Sequence, residues 1–276
     1  MERIREEMLE AGLAGHYEAL APFARRAVYM ELEEGDCDTG MSKMGGEPDL
    51  PAGMEWPRTE EGIPLSFIAQ INFAEVYPHD MGTELPEKGM LWFFYDCSDE
   101  GMPWGFDPED SDGWRVFFRE NAELERIEAP DNLEVSFTEA SIAFESRMDL
   151  PSYDSDILGD TELPEEEEDA YFDWMEDREG SCNKLLGHSD NIQDGMELEC
   201  EYVANGIYCG DPSGYEKAIE MGLEKNAARW KLLMQVESNE ELGMMWGDLG
   251  RLYLWITEED LKAKQFEKTW LILQCG

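Results

Sequence analysis

Positive charge is what this sequence lacks most: 21 Lys and Arg stand against 65 Asp and Glu, a formal net charge of −44 over 276 residues. Beyond Arg25-Arg26 there is no basic cluster, and a chain without one cannot displace the counterions of a phosphate backbone. Nucleic-acid binding is excluded on that ground, and an anionic membrane surface repels the chain for the same reason. Histidine is scarce, with His16, His79 and His188 the full set, so a three-histidine metal site would have to recruit all of them. The six cysteines are scattered with no C-x-x-C pair, which removes the zinc ribbon and the dithiol redox motif. No apolar run approaches the roughly 20 residues that span a bilayer. The acidic start Met1-Glu2-Arg3-Ile4-Arg5-Glu6-Glu7 is unlike a secretory signal, so a cytoplasmic protein with reduced thiols is expected. Gly-x-Ser-x-Gly, a phosphate-binding Gly-rich loop ending in Lys-Ser or Lys-Thr, H-E-x-x-H and the Rossmann fingerprint are all absent. No catalytic residue, metal ligand or cofactor is therefore assigned.

What is present is core-forming material. A hydrophobic content of 42%, with 9 Trp, 12 Phe and 10 Tyr, suffices for a sizeable interior and argues against disorder. The acidity has two readings: solubility or adaptation to salt, and a surface that steers and masks a basic protein partner.

The chain also repeats itself. Lys43-Met44-Gly45-Gly46-Glu47-Pro48-Asp49, with Gly53-Met54-Glu55, is echoed by Lys184-Leu185-Leu186-Gly187-His188-Ser189-Asp190, with Gly195-Met196-Glu197. Each copy is followed by an apolar run containing a glutamine (Phe67-Ile68-Ala69-Gln70-Ile71 and Leu232-Leu233-Met234-Gln235-Val236) and then by a glycine-led aromatic run. Ordered self-similarity of this kind constrains architecture more than chemistry.

Periodicity predicts a helix over 2–21, ended by Pro22, and a half-buried strand over 26–33. Three strands are expected in the first half (68–73, 90–95, 114–118) and three in the second (230–236, 251–256, 269–273), each rich in aromatic and branched residues between turn signals. A helix is expected at 215–229, and a short one at 258–264 with acids first and lysines last, as the helix dipole favours. Between the halves, 151–180 carries thirteen acids and one arginine, a segment either solvated or docked through Tyr171, Phe172, Trp174 and Met175. The expected fold class is α+β, a β-rich pseudo-duplicated unit whose two related halves carry antiparallel sheet and flanking helices. Its parts are an N-terminal helix (1–24), a first β-rich half (25–150), an acidic connecting segment (151–180) and a second β-rich half (181–276), the halves forming one compact domain.

The stretch Ser42 to Pro51, the Trp56-Pro57 step, Pro64 to Asn72, Leu85 to Leu91, Lys184 to His188 and Gly243 to Tyr253 resemble the YwqG-like family of bacterial proteins, over about residues 25–276. The resemblance implies a compact α+β domain of unknown function. Some relatives are thought to accompany polymorphic toxin systems, which would suit an immunity role.

The candidate binding residues are Glu47, Asp49, Gln70, His188, Asp190, Gln235 and Trp104. Gln70 and Gln235 could line a pocket between the halves and offer amide groups to a ligand, or satisfy the backbone of the neighbouring loop. Asp49 and Asp190 could close their loops by accepting backbone amides, and His188 with Asp190 could instead form a dyad. Trp104, between Pro103 and Gly105, is the tryptophan most expected at the surface. The Asp-rich loop 107–113 fails as an EF-hand, because its first and twelfth ligand positions fall on Pro108 and Arg119. The leading functional expectation is a non-catalytic acidic module that binds a basic protein, with an immunity-type role as its finer form. The alternative is a ligand-binding or enzymatic protein using a cleft between the halves.

Overall fold

The computed structural model describes residues 1–80, 84–98, 101–153, 155–176 and 182–276. In chain order the elements are α1 (Glu2–Glu10), α2 (Ala14–Leu20), β1 (Arg25–Glu34), β2 (Lys43–Met44), β3 (Asp49–Pro51), β4 (Ser66–Asn72), α3 (Phe73–Asp80), β5 (Met90–Tyr95), β6 (Trp114–Arg119), β7 (Leu124–Arg126), β8 (Ala140–Asp149), α4 (Glu168–Glu176), β9 (Lys184–Leu186), α5 (Glu197–Ala204), α6 (Pro212–Met221), β10 (Trp230–Glu237), β11 (Arg251–Thr257), α7 (Glu258–Lys262) and β12 (Trp270–Gln274).

Ten strands form one sheet in the order β12-β11-β10-β9-β1-β8-β2-β4-β5-β6, and β3 pairs with β7 in a small second sheet. The pairs that hold the sheet together are antiparallel. The fold is thus α+β and β-rich, and the two halves share a single sheet. Its centre is the ten-residue pair β1/β8, in register from Arg25 opposite Asp149 to Glu34 opposite Ala140. On one side β1 pairs with β9; on the other β8 pairs with β2. Outward from there the halves follow the same plan, with β2-β4-β5-β6 in one and β9-β10-β11-β12 in the other.

The sheet curls so that its edge strands approach. Aromatic packing joins that seam: Trp114 of β6 meets Trp270 of β12 edge to face at 5.1 Å, and Phe118 lies 5.1 Å from Phe266 with Phe73 of α3 5.7 Å from both. The loop after β5 straps across the same seam. Trp104 O accepts from Leu273 N at 3.0 Å, Gly105 O from Trp270 Nε1 at 2.8 Å and Phe106 O from Cys209 N at 2.8 Å. The concave side holds Leu91, Phe93 and Tyr95 with Val28, Met30, Met234, Leu252 and Leu254. Two smaller cores flank it. One lies under β3/β7 around Trp56, Phe67, Trp92 and Phe94; the other packs α1 and α2 on Leu150, Leu158 and Tyr171.

The six strands expected from the aromatic runs are present within one or two residues. Two helices differ from expectation. The N-terminal helix is broken into α1 and α2 because Gly12 adopts φ +81, and the helix expected at 215–229 ends at Met221, where Gly222 at φ +68 provides a left-handed cap before a 3₁₀ turn over Leu223–Arg229. The acidic connection docks through Tyr171, which is buried, and half-buried Trp174; the side chains of Phe172 and Met175 lie outside the described residues.

Gly105 controls the strap, since a Cβ there would lie 1.8 Å from Leu271 O at φ +88. Gly105→Ala is expected to lower unfolding free energy by about 2–3 kcal/mol in urea titrations. Gly53, also left-handed but with nothing within 4 Å, should cost only about 1 kcal/mol on the same change.

Candidate functional site

The repeated sequence builds two matching polar clusters, one on each side of β1/β8. In the first, Lys43 is fully buried, and its Nζ donates to Glu139 Oε2 at 2.7 Å and to the Glu47 carbonyl. Gln70, paired with Lys43 across β2/β4, accepts from Asp49 N at 2.8 Å through Oε1. Its Nε2 donates to Asp49 Oδ2 and the Met41 carbonyl at 2.8 and 2.7 Å. Asp49 also accepts from Gly40 N and, at 2.9 Å, from Arg126 Nε, while Trp92 Nε1 donates to the Asp49 carbonyl.

The second cluster repeats this geometry. Lys184 is fully buried and donates to Asp149 Oδ2 at 2.8 Å, with Asp190 Oδ2 at 2.9 Å. Gln235, paired with Lys184 across β9/β10, accepts from Asp190 N at 2.9 Å; its Nε2 donates to Asp190 Oδ2 and the Cys182 carbonyl at 2.8 and 2.7 Å. Tyr253 Oη stands where Trp92 Nε1 does, donating to the Asp190 carbonyl at 2.6 Å. Even the strand irregularities agree, one beside Ile68 and one beside Leu233, each two residues before the glutamine. Gly46 and Gly187 admit the carboxylates: a Cβ would sit 2.5 Å from Glu139 Oε2 at the first and 2.7 Å from Asp149 Oδ2 at the second.

The electrostatics follow from burial. At Asp49 burial opposes ionisation, but hydrogen bonds from Arg126, Gly40 and Gln70 outweigh it and hold the carboxyl below its usual range. Burial likewise opposes the charge on Lys184, and Asp149 and Asp190 outweigh it, so the ammonium is held more firmly than usual. Asp190 is lowered in the same way, burial being overcome by Lys184 and Gln235. Cys182, beside Arg251 Nη2 at 3.6 Å, is pushed up to about 11, chiefly by burial, and stays a thiol at neutral pH.

The structure therefore spends the amides of Gln70 and Gln235 on the loops of their own halves, and Asp49 and Asp190 on the same loops. Glu47 is half-buried and contributes its carbonyl to Lys43. His188 turns away from Asp190: its Nε2–H donates to the Phe23 carbonyl at 2.8 Å, and its backbone amide to Asp149 Oδ2 at 3.0 Å. Burial drives its pKa down to about 4, so it is neutral at pH 7. The two lysines that organise the clusters were missed as site residues, since a buried lysine leaves no mark in composition; their place at the head of each repeat copy was the available signal.

Trp104 lies elsewhere, 38% exposed at the rim of an open cleft of about 450 Å³. Glu61, Asp96, Glu109, Asp110 and Asp112 line this cleft with Met102, Pro103 and Phe106; among the described residues no Lys or Arg does, although Arg115 pairs with Asp112 at 2.5 Å from outside the lining. All of its lining residues fall between 59 and 113, inside the first half. The Asp-rich loop is a 3₁₀ turn capped by Asp107, whose Oδ1 accepts from Glu109 N at 2.9 Å, while Asp110 Oδ2 accepts from Gly105 N at 2.8 Å. Among the described residues no three His, Cys, Asp or Glu are grouped as a metal site requires, and no helix is long and apolar enough to cross a membrane.

Residues 42–275 match a family described as a domain of unknown function, DUF1963. The chain belongs to this family. No curated protein matches it significantly. The DUF1963 match begins one residue before Lys43 and ends within the C-terminal residues after β12, so it takes in both lysines with their carboxylate and glutamine partners, and the Trp104 cleft. It leaves α1, α2 and β1 outside, although β1 supplies the Tyr29 hydroxyl that donates to Asp149 Oδ1 at 3.3 Å.

Lys184→Met should remove the counter-charge of two carboxylates and cost about 3–5 kcal/mol in chemical denaturation. His188 gives a separate pH signature. Its folded pKa lies below the ordinary 6.5, so the unfolded chain binds the extra proton, and stability present above pH 6.5 is lost as pH falls towards 4. The loss is about 3 kcal/mol, and His188→Gln, which keeps a donor for Phe23, should flatten the stability curve in that window.

Proposed function

We propose that this protein is a non-catalytic, acidic protein-binding module that captures a basic partner at the Trp104 cleft. The observation that carries the reading is the lining of that cleft, five carboxylates beside an exposed indole, of which Asp112 alone is ion-paired, to Arg115 at 2.5 Å, among the described residues. An Arg or Lys side chain entering it would meet an aromatic face and several anions at once, and such contacts are worth about 0.5–2 kcal/mol each. Burial raises the Asp110 carboxyl despite the Gly105 and Asp107 amides that hydrogen-bond it, so an arriving cation would also relieve a disfavoured charge. The net charge of −44 would speed encounter with such a partner at low salt.

The polar residues of the two lysine clusters favour this reading over a ligand site between the halves, because their donors and acceptors already serve loop closure. The finer form is an immunity-type neutraliser of a basic effector, and it rests on the resemblance to YwqG-like proteins. The paired lysine clusters are, on this proposal, the scaffold left by an internal duplication.

A labelled oligo-arginine peptide tests the site by fluorescence anisotropy. Binding should weaken steeply with salt, and Trp104→Ala or the pair Glu61→Gln/Glu109→Gln should weaken it about three- to tenfold. The remote pair Glu2→Gln/Glu6→Gln should change it less than twofold. Equal losses from both glutamate pairs would reduce the effect to diffuse charge and refute the cleft.

A further inference from the structure

A second pocket lies where the N-terminal helices meet the acidic connection. It is a half-open pocket of about 150 Å³, lined by His16, Tyr153, Leu163, Pro164, Glu165, Glu168 and Tyr171. At about 30 Å³ for a water in the liquid, that space suits a group of about five heavy atoms. Its walls are aromatic. His16 stacks on Tyr171 with ring centres 4.9 Å apart and planes at 16°, and Tyr153 stands edge-on to Tyr171 at 6.4 Å and 75°. His16 and Tyr171 are almost wholly buried, whereas Tyr153 forms an exposed rim.

The floor is built and held. Glu167 accepts from Gly15 N, His16 N and His16 Nδ1 at 3.0, 3.0 and 3.1 Å, which pins the 3₁₀ turn Glu165–Glu167 to the start of α2. Gly15 permits that contact, because a Cβ there would lie 2.6 Å from Pro164 Cγ. Glu167 is thereby consumed by the fold. Glu165 and Glu168 are not: both are exposed on the pocket's edge, and among the described residues no Lys or Arg lines it.

An aromatic wall made of a stacked His–Tyr pair and a tyrosine rim, with carboxylates at the mouth and no Lys or Arg among the described lining residues, is chemistry that recognises a methylated ammonium. The ring faces carry negative potential, and the methyl groups fill a dry, apolar space that a hydrated primary ammonium enters less readily. We infer that this pocket binds a quaternary ammonium head group, independently of the Trp104 cleft. One of its seven lining residues, His16, precedes the matched residues 42–275, so the inference concerns this chain and not its family at large.

Choline and its neutral isostere 3,3-dimethyl-1-butanol decide the matter by titration calorimetry on the full chain, with sodium chloride at matched ionic strength as the blank. Choline should bind saturably, the isostere at least about tenfold more weakly, and Tyr153→Ala and Glu168→Gln should each weaken choline about three- to thirtyfold with an unchanged melting temperature. Both variants alter exposed side chains, so loss of folding would not confuse the result. No saturable choline binding up to about 50 mM, equal binding of the isostere, or full binding by Tyr153→Ala would each overturn the inference. A trimethyllysine peptide serves as a further arm: tighter binding than choline assigns the head group to a protein side chain, and weaker binding assigns it to a free small molecule.

Discussion

A lysine ammonium cannot be buried alone. Desolvation costs several kcal/mol per ion even after the surroundings relax, so Lys43 and Lys184, both fully buried, oblige the chain to deliver a carboxylate to each. The two carboxylates come from the ends of one strand: Glu139 immediately precedes β8, and Asp149 is its last residue. That requirement fixes β8 at the centre of the sheet. It explains why the glycine after each strand-loop junction has no room for a Cβ, and why a glutamine from the next strand must hold each Asp loop closed.

Much of this arrangement was legible beforehand. The aromatic runs Met90-Leu91-Trp92-Phe93-Phe94-Tyr95 and Leu252-Tyr253-Leu254-Trp255-Ile256 are buried on both faces, and continuous apolar runs of that length have few alternatives to a central strand. The recurrence of Gln70 and Gln235 in equal settings marked two matched positions. β8 was not legible: Ala140-Ser141-Ile142-Ala143-Phe144-Glu145-Ser146-Arg147 is mostly half-exposed, its alternation is weak, and its place comes from pairing with residues a hundred positions away. α3 was hidden by Pro78 inside it, and by following β4 without a turn signal. Candidate site residues in the repeat were visible as a group, but whether their polar atoms face a ligand or a loop is decided by side-chain direction, which spacing does not encode.

Scarce cations are used inward. Lys43 and Lys184 are interior, Arg126 is held against Asp49 and the Cys37 carbonyl, and Arg251 against the Asp190 carbonyl. Glu139, Asp149, Asp190 and Asp49 are drawn inward with them, so the solvent still meets the large acidic excess of the composition. Such a surface repels itself and lowers the stability of the compact state, which sets a premium on the aromatic seam and the buried pairs that oppose it.

The strap after β5 carries Trp104 on its outer side, and on its inner side the carbonyl that receives Leu273 N. The acceptor for a backbone amide of the last strand and an indole at the surface therefore belong to one residue of a short, glycine-tethered segment. A partner that gripped the indole and thereby shifted this carbonyl would change the closure of a sheet whose first strand is far away in sequence, and by linkage the integrity of the C-terminal strand would alter that partner's affinity by the same free energy.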